Sequence, residues 1–248
     1  MERRGDPADH GGFSDNCFGA TGASDGYGWE MMDEFNKAIS PSDVAIHSAG
    51  WQKYYQAIYR CNVLLQHMDN VAWGDSTALK TQYTGEVRFI RAFCYFDLVR
   101  LFEKVPLLTV PNLANVPQAS PDSTYGQIME DLRYAADNLP SASYTSVPNG
   151  RVTKWAAESL LARVYMFYSG YYGKSSIGKE TAATALAAVE DVIAHSGHGL
   201  VTDFTTLWPA ASLAKKVTYA GEDNKEVVFP SSIRLRATTT EILPATDG

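Results

Sequence analysis

Apolar positions recur along the chain at helical spacings, with polar residues between them. From Trp51 to about Asn70, Trp51, Tyr55, Ile58, Asn62 and Leu65 share one face, with Tyr54, Cys61, Leu64 and Met68 beside it. Residues 79–106 predict one long helix with two apolar sides. Tyr83, Val87, Ile90, Cys94, Leu98 and Leu101 form one side, and Phe89, Phe93 and Phe96 the other. A helix apolar on two sides packs between neighbours instead of lying on a surface. A third helix has the face Tyr125, Ile128, Leu132, Ala135 and Leu139, capped by Ser123 or Asp122 and stopped by Pro140. Thr153 is the expected N-cap of a fourth, with Trp155, Leu160, Val164, Phe167 and Tyr168 inward. Its small Ala156, Ala157 and Ala162 admit a neighbour closely. A fifth helix spans about Glu180 to His195 on Ala182, Leu186, Val189 and Ile193, closed by Gly197 and Gly199.

The intervening segments are irregular. Residues 1–28 are rich in Gly, Asp and Ser and predict loop, followed by a short helix at Met31–Ile39. Proline-rich 106–121 and the segment 141–150 predict long loops, and Glu226–Phe229 is the one firm strand signal. The fold class expected is mainly α, a tetratricopeptide-like helical repeat with long irregular loops and little β. Three regions are expected: an irregular 1–50, helix pairs over 51–200, and an irregular 201–248.

Composition narrows the function classes. The net charge of −7 argues against a nucleic-acid binder, which needs a basic footprint. The aromatic content of 12%, with 14 Tyr and 5 Trp, suits either packing between helices or a sugar-stacking surface. Cys17, Cys61 and Cys94 have no disulfide or zinc spacing, and Cys61 and Cys94 fall in helical apolar patterns as small buried hydrophobes. Cys17 follows Phe13-Ser14-Asp15-Asn16, not the apolar run that precedes a lipidated cysteine. No apolar signal core stands in residues 1–30 and no stretch reaches a membrane span.

Candidate chemistry is sparse. Glu86, Arg88 and Arg91 form a charge cluster, but Glu86 and Arg88 point apart on a helix, so ties between helices and loops are expected. Asn62 on an apolar face needs its hydrogen bonds satisfied and is expected to be a structural pin. His195 and His198 have metal-compatible spacing with no third ligand nearby, so a helix-end role is expected. Glu190 and Asp191 are adjacent on a helix and cannot face one another as an acid–base pair. No catalytic residue, cofactor or metal is expected.

Five segments in order carry a family resemblance. They are Trp51-x-x-Tyr54-Tyr55-x-x-Ile58-x-x-Cys61-Asn62-x-Leu64-Leu65; Glu86-Val87-Arg88-Phe89-Ile90-Arg91-Ala92-Phe93 with Leu101-Phe102-x-x-Val105-Pro106-Leu107; Gly150-Arg151-Val152-Thr153-Lys154-Trp155-Ala156-Ala157; Leu160-Leu161-Ala162-Arg163-Val164-Tyr165; and Asn224-Lys225-Glu226-Val227-Val228-Phe229. This set resembles the SusD/RagB family of outer-membrane nutrient-binding lipoproteins of Bacteroidetes-type bacteria. The resemblance implies non-catalytic capture of an oligosaccharide, less readily a peptide, for a TonB-dependent SusC-like transporter. It implies a surface-exposed outer-membrane lipoprotein and makes Asn62, Glu86, Arg88, Arg91, Thr153 and Lys154 structural motif residues. Family members are much longer and carry a secretion signal and lipidated cysteine, so the sequence is expected to be a fragment or truncated product.

Ligand-binding candidates are aromatics in loops, since flat rings stack on the C–H faces of sugars. Asp25, Tyr27 and Trp29 lie in the Gly-rich region, upstream of the first helix pair, where the family often places ligand aromatics. Trp73 and Trp208 are further candidates. The alternative is a cytosolic helical-repeat scaffold that binds a protein.

Overall fold

The computed structural model describes residues 47–143, 146, 151–221 and 224–229. Six helices are described: α1 Ser48–His67, α2 Thr77–Phe102, α3 Pro121–Asn138, α4 Lys154–Tyr172, α5 Ala182–His195 and α6 Pro209–Lys215. A 3-10 turn at Met68–Asn70 extends α1. The only described strands, β1 Ser176–Ile177 and β2 Glu180–Thr181, form a small antiparallel hairpin before α5. Each of α1 to α5 packs chiefly on its neighbours in sequence, giving a linear array of antiparallel helices. No described helix is long and apolar enough to cross a membrane.

The long α2 sits between α1 and α3, as its two apolar sides require. Phe89, Phe96, Leu98, Val99 and Tyr95 are all buried there. The expected faces were too generous, however. Phe93 is 38% exposed, Ile90 41% and Leu101 52%, so Phe93 lies outside the core. The sequence pattern counts every apolar residue alike, whereas the helix has more such residues than its two contacts can cover. Gly85 marks the closest approach of α2 to α3: a Cβ there would sit 3.1 Å from the Leu139 side chain.

The third helix buries all five predicted positions, Tyr125, Ile128, Leu132, Ala135 and Leu139. Its cap differs from expectation. Ser120, not Ser123 or Asp122, is the N-cap, accepting a hydrogen bond from the Ser123 backbone N–H. Pro121 then occupies N1, where its missing N–H costs nothing. Thr153 caps α4, its hydroxyl accepting from the Ala156 backbone N–H.

The inward face of α5 overlaps the predicted one only at Val189, which packs against the core. Ala185, Ala188 and Val192 are buried, while Leu186 is 58% and Ile193 73% exposed. Small residues set this contact because they let α5 come close to α4, whose Ala156, Ala157 and Ala162 are buried too. The predicted strand at Glu226–Phe229 is a turn and bend instead. It still contributes to packing: Phe229 meets Phe89 edge-on at 5.0 Å between ring centroids. The predicted helix at Met31–Ile39 lies outside the described residues.

Candidate functional site

Between α2 and α3 the chain leaves the array as a loop, and this loop builds one wall of a cleft. Its base is closed by an antiparallel bridge between Pro106 and Gln118, and by the Ala119 N–H donating to the Val105 carbonyl at 2.9 Å. Its inner strand is held by side chains from below. The Tyr95 hydroxyl donates to the Leu108 carbonyl at 2.9 Å and accepts from the Leu108 N–H at 2.7 Å. The Asn62 amide donates to the carbonyls of Leu108 and Val110, at 2.9 and 3.2 Å. Tyr55 donates from its hydroxyl to the Pro106 carbonyl at 2.7 Å.

Arg91 ties these contacts to the rest of the array. It donates to Asp131 on α3 through two nitrogens, at 2.7 and 2.8 Å. It also donates to the Asn62 side-chain oxygen at 2.8 Å and the Thr109 carbonyl at 3.2 Å. Arg91, Asn62 and Asp131 are all buried. Burial opposes the charge on Arg91, but the Asp131 carboxylate more than offsets this and raises its pKa. The same burial pushes the Asp131 carboxyl upward against the pull of the Arg91 fork. Burial holds Tyr55 and Tyr95 well above ordinary phenol values, Tyr95 at about 12, so both stay hydrogen-bond donors. One paired and hydrogen-bonded network therefore satisfies the backbone of an inward-facing loop that has no sheet to join.

The outer side of this loop, at Asn112–Val116, faces α1 across a cleft of about 530 Å³. Trp51, Tyr55 and Tyr59 line the helical wall. Their spacing of four residues places them as a ladder along one helix face, with a step of about 6 Å at 1.5 Å rise per residue. Trp51 and Tyr55 have ring centroids 4.9 Å apart, and Phe102 supports Trp51 edge-on at 4.9 Å. Tyr59 is 38% exposed. Between and opposite the rings stand the amides of Gln52, Gln56, Asn112 and Asn115. The Asn112 side chain also shapes the loop tip by accepting from the Ala114 N–H at 2.8 Å. Apolar rings with convergent amide donors and acceptors can take a ligand that has flat C–H faces and many hydroxyls.

Of the predicted ligand residues within the described part of the chain, neither Trp73 nor Trp208 lines this cleft. Asp25, Tyr27 and Trp29 lie outside the described residues. The Trp73 indole N–H donates to the Met68 carbonyl at 2.7 Å and its ring packs near Tyr83, so it closes the turn after α1. Trp208 stands 56% exposed beside Phe204 at the start of α6, away from the cleft lining. Trp51 and Tyr55 count among the first helix's apolar positions by their period, which hides their half-exposed position. Periodicity alone does not separate Tyr59, Gln52, Gln56 and the loop amides from ordinary surface residues. The legible signal was an aromatic every four residues with glutamines beside it, followed by an Asn-rich stretch between Pro111 and Pro117.

The other motif residues hold elements together. Glu86 pairs with Arg151 at 2.7 Å, tying the segment before α4 to α2. Arg88 lies over the Tyr134 ring at 4.3 Å and 3.7 Å from Asp131. Lys154 pairs with Asp191 on α5 and lies 3.4 Å from Glu158. His195 pairs with Asp191, and His198 meets the Lys225 carbonyl, so the two imidazoles have separate partners. Among the described residues, no group of three His, Cys, Asp or Glu side chains could hold a metal.

Known proteins resemble this chain over much of its length. A SusD-like family model described as starch-binding, associating with outer membrane, matches residues 19–166. A SusD-like protein of Bacteroides ovatus is 30% identical over 167 residues, 65% of this chain and 30% of that protein. The chain therefore spans under a third of that relative's length. A laminarin-binding SusD-like protein of known structure is 30% identical, with a TM-score of 0.63, over 78% of this chain and 40% of the other. A structure solved with xylogluco-oligosaccharide matches with a TM-score of 0.60 and 26% identity, over 75% of this chain and 35% of that one. Since the family model spans more than half of the sequence and the solved relatives share its helical array, the chain belongs to the SusD-like family.

Proposed function

We propose that this protein captures an oligosaccharide in the cleft between α1 and the 106–118 loop, without chemically altering it. The observation that carries the reading is the ladder of Trp51, Tyr55 and Tyr59 facing the amides of Asn112 and Asn115. Sugar rings stack on such a ladder through dispersion, while the amides fix hydroxyl orientation. An open cleft binds reversibly, which suits a protein that hands its ligand on. One structural relative was solved with xylogluco-oligosaccharide and another is laminarin-binding, which supports the ligand class. Asp25, Tyr27 and Trp29 are proposed to add contacts from the segment preceding α1.

The wider role is capture at the outer-membrane surface for delivery to a TonB-dependent, SusC-like transporter. Support comes from the family's association with the outer membrane and from the five motif segments. Calorimetric titration of the chain with laminari- and xylogluco-oligosaccharides tests the binding step. Saturable binding that Tyr59→Ala weakens by about tenfold, the scale of one lost ring contact, is expected. Tyr59 is the informative position because its ring supports no other side chain among the described aromatic contacts. Binding that persists unchanged in Tyr59→Ala and Trp51→Ala would place the glycan elsewhere. Co-purification with a TonB-dependent transporter from the same cells tests the delivery step.

A further inference from the structure

Arg60 differs from the other arginines of the helical array. Arg88, Arg91, Arg100, Arg133 and Arg151 each lie within ion-pair distance of a carboxylate. Arg60 and Arg163 have no ion-pair partner among the described residues, and of these two only Arg60 lines the cleft. It follows Tyr59 directly and stands one turn beyond Gln56, at the end of the aromatic ladder. No Asp or Glu lines the cleft with it. The cleft thus offers one exposed positive charge with no carboxylate among its lining residues.

A guanidinium presents a planar fork of donors that matches a carboxylate or a sulfate at two points. We infer that the cleft selects anionic oligosaccharides, those whose sugars carry a carboxylate or a sulfate ester, with Arg60 as the specificity-determining residue. This rests on the cleft being the glycan site proposed above. The chain's net charge of −7 does not favour an anionic polymer at long range, so the preference must arise at contact. Salt at physiological strength screens the distant charges beyond about 8 Å but leaves a contacting ion pair largely intact. A neutral glycan would use Arg60 only as a hydroxyl donor and would draw nothing from its charge.

The test is titration of the chain with three probes of equal length: an oligogalacturonide, a sulfated galacto-oligosaccharide and a neutral laminari-oligosaccharide. At least one anionic probe is expected to bind about tenfold or more tightly than the neutral one, the scale of a hydrogen-bonded charge pair. The better of the two anionic probes tells carboxylate from sulfate. Arg60→Gln is expected to abolish the preference, bringing the anionic probes to the affinity of the neutral one, and Arg60→Lys to keep part of it, having charge without the fork. Tyr59→Ala should weaken all three probes together. Equal affinity for all three, or a preference that survives Arg60→Gln, overturns this inference and leaves the cleft reading standing. Binding of none of the three, or anionic binding untouched by both Tyr59→Ala and Arg60→Gln, overturns both.

Discussion

The two ends of the helical array are held by different physics. At the α1–α3 end, a buried Arg91–Asp131 pair and Asn62 reach out of the core to fasten a loop. At the α4–α5 end, contact rests on alanines, and the ion pairs Lys154–Asp191 and Arg133–Glu180 keep their cations partly exposed. Burying an ion pair costs several kcal/mol of desolvation per charge, so a well-packed apolar replacement is often as stable. Stability alone does not call for the Arg91 network. What it provides is position: three backbone carbonyls of the loop, at Leu108, Thr109 and Val110, are each met by a buried donor. The end that carries the cleft has an ion pair buried on both sides, and at the end without it close small-residue packing accompanies pairs whose cations reach solvent.

This contrast can be broken most sharply at Arg91. Arg91→Ala leaves Asp131 buried without its partner and is expected to cost about 3–5 kcal/mol in urea denaturation. The paired replacement Arg91→Met with Asp131→Leu should recover most of that stability yet still lose glycan affinity, because the loop has lost its anchor. Recovery of both would show that the network serves stability only.

The hydrophobic side of the same helix gives the next largest effect. Phe89→Ala should destabilise by about 3–5 kcal/mol, since it empties a fully packed site. Phe93→Ala, four residues on but partly exposed, should cost about 1 kcal/mol or less. Equal losses in the two melting curves would mean that Phe93 is core after all.

Tyr55→Phe removes only the hydroxyl that donates to Pro106, and about 1 kcal/mol is expected to be lost. Faster hydrogen exchange of loop amides near residue 108 should accompany it if the phenol helps seat the loop.

The smallest effect belongs to the far end. Burial raises the Glu180 carboxyl, but the two-point contact with Arg133 outweighs this and holds it below the ordinary carboxylate range. A depressed folded-state pKa gives stability that is complete above the unfolded value and is lost as pH falls through the folded one. Wild type should therefore lose stability relative to Glu180→Gln as pH falls through and below the ordinary glutamate value of about 4.3, by at most about 1 kcal/mol for a partly exposed pair. Parallel acid arms in the two denaturation series would show that the pair contributes nothing.

The helices were legible in the sequence because apolar period and capping residues are local signals. The core of α3 follows directly from the spacing of Tyr125, Ile128, Leu132 and Ala135. Which side of α5 turns inward was not legible. Leu186 and Ile193 are the larger apolar residues, but close approach to α4 selects Ala185 and Ala188. Asn62 by its place on an apolar face, and Arg91 by its charge cluster, are legible as tied residues. Their common target, the 108–110 backbone, depends on where a loop folds back, and no local pattern encodes that. The cleft was hidden for the same reason: Trp51 and Tyr55 have core periodicity, and only the placement of the loop leaves their rings half open.

The most direct test of the account is calorimetric titration of an oligosaccharide that binds the chain, repeated on Tyr59→Ala with its thermal midpoint measured in parallel. The account predicts affinity lower by about tenfold with the melting temperature nearly unchanged, since Tyr59 is an exposed ring of the ladder. Undiminished affinity in a folded Tyr59→Ala protein would contradict the assignment of the cleft as the glycan site.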